Sequence, residues 1–472
     1  MKELKMFIDG RFIDNESGKW IKVLNPSTEE VISLMPDGTV EDARKAIDAA
    51  EKAQNQWERT PSIERAAYLT KIAAGIRKRE KELTDIIVRE GGKTQGLANV
   101  EVLFTADYMD YMAGWARRYE GEIIPSDRPH ENIFLFKRPI GVTTGILPWN
   151  FPFFLVARKA APALITGNTI VIKPSQLTPE NAYVFAQIVE EAGLPAGVFN
   201  LVNGRGSVIG HELSANPKVG SVGAGQQTMA AAAPNITKVS LELGGKAPAI
   251  VMKDADVDLA VKSIIASRVI NTGQVCNCAE RVYVDKAIKE TFMEKLVAGM
   301  KQVKVGNPNE VADLDMGPLI EASALESMEK KVERAIQQGA RLLCGGHRIG
   351  TKGYFFEPTV LDCVTQKMDI IQEETFGPIL PVVEYSDIND AIAWANDCEY
   401  GLTSSVYTQN LDNAFKVMRS LKFGETYINR ENFEAMQGFH AGWRKSGIGG
   451  ADGKHGLEEY LQTQVVYLET KE

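Results

Sequence analysis

Three side chains in this sequence suit nucleophilic attack on a carbonyl. Cys276 lies in Thr272-Gly273-Gln274-Val275-Cys276-Asn277-Cys278, a glycine-containing turn ahead of a strand. A thiolate is strongly nucleophilic even at modest ionisation, although the same setting suits an inert, small core residue. Glu242 falls inside the apolar strand that runs into Leu243-Gly244-Gly245-Lys246. Apolar surroundings raise a carboxyl toward the range useful to a general base. Taken alone, a salt bridge to Lys246 or another cation is the better account of Glu242. Asn150, in Leu147-Pro148-Trp149-Asn150-Phe151-Pro152, stands between a strand and a helix. Its amide can donate to a developing oxyanion, while a turn or N-cap role is the ordinary one. A fourth pattern, Gly204-Arg205-Gly206-Ser207-Val208-Ile209-Gly210, is G-x-G-x-x-x-G, one residue longer than the dinucleotide fingerprint. By itself it favours a plain strand-to-helix turn.

The elements that must position these residues follow from periodicity. Short strands are expected between Phe7 and Leu34. From Thr39 the pattern turns helical, with a capping box at Thr39–Asp42, and continues to about Arg118 with breaks at Pro61 and Gly91-Gly92. Then strands at Gly141–Leu147, Thr169–Lys173 and Val198–Val202 alternate with helices after Pro152 and over Asn181–Ala192. That alternation predicts a parallel sheet with right-handed crossovers. Such sheets bind ligands at the carboxyl ends of their strands, here the loops after Leu147 and Lys173. A second α/β set begins after Gly245, with strands at Ala249–Val251, Arg281–Val284 and Thr403–Tyr407 and helices near 256–270, 287–302 and 321–338. Two extended stretches, Glu122–Lys137 and Gln464–Leu468, lack neighbours and need partners, in each other or in another subunit.

Composition narrows the function. A net charge of −9 with no basic block argues against nucleic acid as a partner. No apolar run reaches the roughly 18–20 residues of a membrane helix, and no secretory signal follows Met1, so a cytoplasmic protein is expected. Five scattered cysteines do not suggest a disulfide framework, and the five histidines form no metal-ligand spacing.

Together the segments resemble the aldehyde dehydrogenase family. The resemblance is carried by Pro148–Pro152, Lys173-Pro174-Ser175, Leu241–Lys246, Gly273-Gln274-Val275-Cys276 and Glu374-Thr375-Phe376-Gly377-Pro378, in the family's order. It spans nearly the whole chain, and is strongest to the branch acting on lactaldehyde and glycolaldehyde at Glu101–Pro148 and Phe423–Tyr467. It implies an α/β fold of two α/β domains, a variant Rossmann-type cofactor domain (1–121 and 144–245) and a catalytic domain (246–450). A small β oligomerisation element would be built from 122–143 and 451–472, giving a homo-oligomer, tetramer or dimer. The implied reaction is NAD(P)-dependent oxidation of a small aldehyde to the carboxylate. Cys276 forms a thiohemiacetal and then a thioester, Asn150 and the Cys276 N–H hold the oxyanion, and Glu242 activates water. Cys278 is given no catalytic part.

The resemblance places the cofactor against Ile146, Leu147, Pro148, Trp149, Ser175, Gln176, Gly206, Leu243, Gly244 and Phe376. Lys173 would bind the adenosine ribose and Glu374 the nicotinamide ribose. Gly220-Ser221, at a helix N-terminus with Gly225 further along, would take the pyrophosphate. Two departures stand out. Asn216–Val219 runs directly into Gly220-Ser221, where about six residues forming a strand are absent relative to the family pattern. That predicts unusual local structure with impaired cofactor binding, or residues left out of the sequence. Gln176 replaces a glutamate of NAD-preferring relatives, so NAD is expected with NADP tolerated. For the substrate, Arg158 shares a helix face with Phe154 and Pro162. A pocket of Arg158, Asn277 and His440 would be polar and suit a hydroxyaldehyde; pairing of Arg158 with a carboxylate is the plainer alternative. The competing functions are acyl transfer to coenzyme A, disfavoured by Glu242, and an impaired binding or structural protein.

Overall fold

The computed structural model describes residues 2–14, 17–223 and 227–471. Two large sheets form its frame. The first has eight strands in the order Gly447–Ile448, Lys238–Glu242, Val219–Gly223, Val142–Ile146, Thr169–Lys173, Phe199–Leu201, Met6–Ile8 and Arg11–Ile13. Its five central strands are parallel, and its edges close with antiparallel strands from the two ends of the chain. The second has seven strands, with Ala247–Val251, Ala279–Asp285 and Ile379–Tyr385 in its middle and Glu425–Ile428 at one edge. Pairings within that central group are parallel. Most central strands in both sheets are buried on both faces, as parallel sheets require.

The predicted N-terminal helical region resolves into Val40–Arg59, Ser62–Lys78, Glu80–Gly91 and Gln95–Ala113. The expected capping box is made: the Asp42 N–H donates to Thr39 Oγ1 at 3.2 Å and the Thr39 N–H to Asp42 Oδ2 at 2.7 Å. Such a cap contributes about 1 kcal/mol. The break at Arg79 had no glycine or proline to announce it. Helix Pro152–Thr166 is buried along almost its whole length between the first sheet and Gln95–Ala113. Among the described residues no helix is long and apolar enough to cross a membrane.

The two orphan extended stretches find each other. Leu461–Glu469 pairs antiparallel with Glu131–Pro139, which pairs in turn with Glu122–Pro125.

The segment at Val219 departs from expectation. Val219–Gly223 itself fills the place between Val142–Ile146 and Lys238–Glu242, pairing parallel with both. Gly220 and Ser221 therefore lie within a strand and not at a helix N-terminus, which corrects their expected placement. The register slips between Val219 and Ser221. Gly220 is packed so closely on Ile140 that a Cβ would come 2.8 Å from its carbonyl oxygen. The reason is ladder satisfaction: a gap in a central strand would leave two neighbours' N–H and C=O groups unpaired, at a cost no loop recovers. Gly225 lies outside the described residues.

Candidate active site

The carboxyl ends of the first sheet face the second sheet across a cavity of about 470 Å³. Cys276, Asn150 and Glu242, which are far apart in sequence, all line it. The Cys276 loop is unusual in its backbone. Asn271, Thr272 and Gly273 have φ of 46°, 60° and 72°, a left-handed run that costs energy at a β-branched threonine. Long-range bonds hold it there. Thr272 Oγ1 donates to the Gly317 carbonyl at 3.0 Å, and buried Arg268 donates to the carbonyls of Gly273 at 2.5 Å and Ala279 at 2.8 Å. Gly273 admits no side chain, since a Cβ would meet the Gly377 carbonyl and Arg268.

Glu280 ties this loop to the next. Its carboxylate accepts from Lys246 at 2.8 Å, Arg268 at 2.9 Å and the N–H groups of Thr375 at 2.7 Å and Phe376 at 3.0 Å. Burial opposes its charge, but Lys246 and Arg268 hold the carboxyl far below the usual range. Lys246 is thus committed to Glu280, not to Glu242. Cys278 is buried, its thiol pushed up to about 12 chiefly by burial, which suits its expected lack of a role.

Asn150 is buried, and its side-chain amide donates to the Gln274 carbonyl at 3.1 Å, two residues before Cys276. Glu242 ends its strand in contact with Lys159 and has Arg158 at 3.4 Å. Burial would push this carboxyl up, but Lys159, Arg158 and His440 outweigh it and hold it at about 2. The ion-pair reading of Glu242 therefore holds, with Lys159 and Arg158 as the cations in place of Lys246, and the raised carboxyl does not. An apolar strand sequence does not reveal cations delivered by another helix. Lys159 is a functional residue that the sequence reading missed; its signal was its place beside Arg158 on a helix facing the site.

The polar end of the cavity is a charge cluster. Arg158 is buried and bonded to Asp452, with Nε–Oδ1 at 3.0 Å, and has Glu434 at 3.7 Å. The plainer alternative for Arg158 holds, since it is paired with Asp452; it also lines the cavity with Asn277, whereas His440 is not among the lining residues. The Asn277 amide donates to Glu434 at 2.5 Å. His440 is buried, and its Nδ1 lies 2.5 Å from a Glu425 oxygen. Burial and Arg158 would push the imidazole down, but Cys276, Glu425 and the Glu434 charge hold it well above the usual histidine range. Glu434, Glu425 and Asp452 were not singled out from sequence. Phe104, Phe154 and Phe433 form the apolar wall.

Of the residues expected against a cofactor, Ile146, Leu147, Pro148, Leu243, Gly244, Glu374 and Phe376 line the same cavity. Trp149 packs edge-on to Phe376 with centroids 5.8 Å apart. Glu374 accepts the Gly245 N–H at 2.8 Å, and burial together with Glu280 pushes its carboxyl up to about 7. Gly244 leaves no room for a Cβ against Glu374. Lys173 is buried at a strand's carboxyl end, where burial lowers it to about 8. Its ammonium spends one donor, on the Pro174 carbonyl at 2.8 Å. A buried cation with unspent donors fits an incoming hydroxyl or anion. Ser175 and Gln176 follow it, Gln176 being exposed, and Gly206 opens helix Gly206–Ala215.

Residues 12–466 match the aldehyde dehydrogenase family. The chain is 67% identical to lactaldehyde dehydrogenase of Escherichia coli over 471 residues, covering 98% of both. Its structure superposes on a crystal structure of lactaldehyde dehydrogenase from Escherichia coli with a TM-score of 0.98 at 66% identity, covering 99% of each chain. A structure of 3,6-anhydro-L-galactose dehydrogenase in complex with NAP matches with a TM-score of 0.97 at 41% identity, covering 99% of this chain and 100% of that one.

Proposed function

The chain belongs to the aldehyde dehydrogenase family, and from that we propose that it oxidises a small 2-hydroxyaldehyde, lactaldehyde or glycolaldehyde, to its carboxylate with NAD. The observation that carries this reading is the convergence of Cys276, Asn150 and Glu242 on one cavity whose far end is polar. The Cys276 sulfur adds to the aldehyde carbon, and the Asn150 amide and the Cys276 N–H receive the oxyanion. When bound, NAD accepts the hydride, leaving a thioester on Cys276. Glu242 then takes a proton from the water that releases the acid. Lys159 contacts only one oxygen of this carboxylate, Oε1, and the carboxylate has further acceptor sites for that water. His440 is oriented by Glu425, whose carboxylate lies 2.5 Å from its Nδ1.

The cofactor-facing residues support a dinucleotide with its nicotinamide end near Glu374 and Phe376 and its adenosine ribose at Lys173. Gln176 leaves room for NADP as well. The polar residues lining the cavity, Arg158, Asn277 and Glu434, support a substrate hydroxyl. We read residues 1–121 with 144–245 as the cofactor domain and 246–450 as the catalytic domain. The sheet formed by 122–139 and 461–469 leaves Ile123 72% and Tyr467 65% exposed, which supports a homo-oligomer joined through it. A nucleophilic thiol needs a reducing compartment, which favours the cytoplasm.

The test is NADH formation by purified protein with NAD and lactaldehyde, glycolaldehyde or a simple aliphatic aldehyde, with Cys276→Ala as control. NADH from the wild type alone, fastest with a hydroxyaldehyde, is the expected result. No NADH, or equal NADH from Cys276→Ala, refutes the proposal. Stimulation by coenzyme A would replace hydrolysis with acyl transfer.

A further inference from the structure

We propose that Lys93 and Glu101, which no sequence motif singled out, are positioning residues for the oxyanion donor: a buried ion pair that fixes Asn150 against the Cys276 loop. The pair is closed off from water, with the two side chains 2% and 0% exposed and Nζ–Oε2 at 2.5 Å. Neither residue is a surface bridge of small consequence.

Glu101 projects from helix Gln95–Ala113 onto the start of helix Pro152–Thr166. That start lacks a cap of its own: the preceding residue is Phe151, and no side-chain bond caps it. Pro152 has no N–H to offer. Glu101 Oε1 accepts the next two free N–H groups, from Phe153 at 2.9 Å and Phe154 at 3.1 Å. A carboxylate there satisfies orphan donors and matches the positive end of the helix. The cap therefore also sets the rotation of the helix that carries Arg158 and Lys159.

Lys93 extends the hold by one step. Its ammonium donates to the Asn150 backbone carbonyl at 2.8 Å and stands 3.6 Å from the centroid of the Phe151 ring. Asn271, in the strained run before Cys276, donates to the same carbonyl at 3.2 Å. The Asn150 side chain returns the connection by donating to the Gln274 carbonyl at 3.1 Å. One N–H of that amide is thereby tied, which orients the other. Three elements distant in sequence meet at the Asn150 peptide, and Lys93 is its cationic anchor.

This inference rests on the reading of Asn150 as oxyanion donor. Loss of one oxyanion donor lowers kcat by about 10²–10³-fold, and a displacement of about 1 Å can cost about 10²-fold. Lys93→Met should accordingly lower kcat by about 10- to 100-fold while KM for NAD moves by less than about 3-fold. A kinetic cycle of wild type, Lys93→Met, Asn150→Ala and the double variant tests this, with lactaldehyde and NAD. If Lys93 acts through Asn150, Lys93→Met costs less than about 3-fold in the Asn150→Ala background. An equal loss in both backgrounds, or a KM for NAD that rises as kcat falls, overturns the positioning role and leaves the enzymatic reading intact. A wild-type kcat in Asn150→Ala overturns the oxyanion reading itself. Should Lys93→Met not fold, Glu101→Gln keeps the shape of the side chain while removing the charge that pairs with Lys93, and carries the same cycle.

Discussion

Lys159→Met isolates what holds Glu242 ionised. In the folded protein this carboxyl lies at about 2, against 4.5 for an unperturbed glutamate. Each pKa unit is worth about 1.36 kcal/mol, so the depression corresponds to about 3 kcal/mol. A unit charge in contact range, at the effective dielectric of partly buried pairs, contributes about 4 kcal/mol, or about three units. Lys159 alone can therefore account for the net depression. Removing it leaves burial opposed by Arg158 at 3.4 Å and by His440, and the carboxyl should rise to about 5 or above. Because a lowered folded value stabilises above the unfolded one, the wild type gains the full contribution above about pH 4.5 and loses it as pH falls toward about 2. Lys159→Met should forfeit most of it at neutral pH. Its deficit in urea midpoint should then shrink as pH drops below about 4. The kinetic consequence is sharper. The wild-type kcat profile has no acid limb from Glu242 above about pH 4, whereas the variant should show one near pH 5 or higher, where its base becomes protonated. The assay is NADH release against pH with saturating NAD and lactaldehyde. A folded Lys159→Met whose acid limb coincides with the wild type's would refute the reasoning.

Other substitutions follow from the same contacts. Gln176→Glu should raise the preference for NAD over NADP by about 10-fold or more in kcat/KM, by repelling a 2′-phosphate; an unchanged ratio would sink the idea. Arg158→Leu should cost lactaldehyde about 10-fold more than a simple aliphatic aldehyde in kcat/KM. It should also cost about 3–5 kcal/mol of stability, because Asp452, Glu242 and Glu434 lose their shared cation. Equal losses for both aldehydes would count against a hydroxyl-binding role. Tyr467→Asp, on the exposed face of the third sheet, should shift sedimentation toward smaller species without changing the folded subunit. An unchanged profile would place the interface elsewhere.

Several features were legible in one dimension because they are local. The capping box at Thr39, the alternating strands and helices from Gly141 to Val202, and the glycine-flanked loops of Glu242 and Cys276 depend on neighbours within a few residues. The grouping of Cys276, Glu242 and Asn150 came from the family's motif order, and the cavity brings them together. Tertiary structure decided the rest, because charge and pairing act through space. Glu242 reads as a carboxyl in an apolar strand, yet cations from a helix about eighty residues earlier reverse the sign of its shift. Arg158 meets Asp452 across 294 residues of sequence, and no local pattern predicts that partner. Gly220-Ser221 looks like an anion-binding turn until the sheet claims it, since an unpaired central ladder costs more than a lost turn. Residue types and motif order thus determined which groups are available for chemistry; packing decided which are ionised, which are paired and which are spent on the frame.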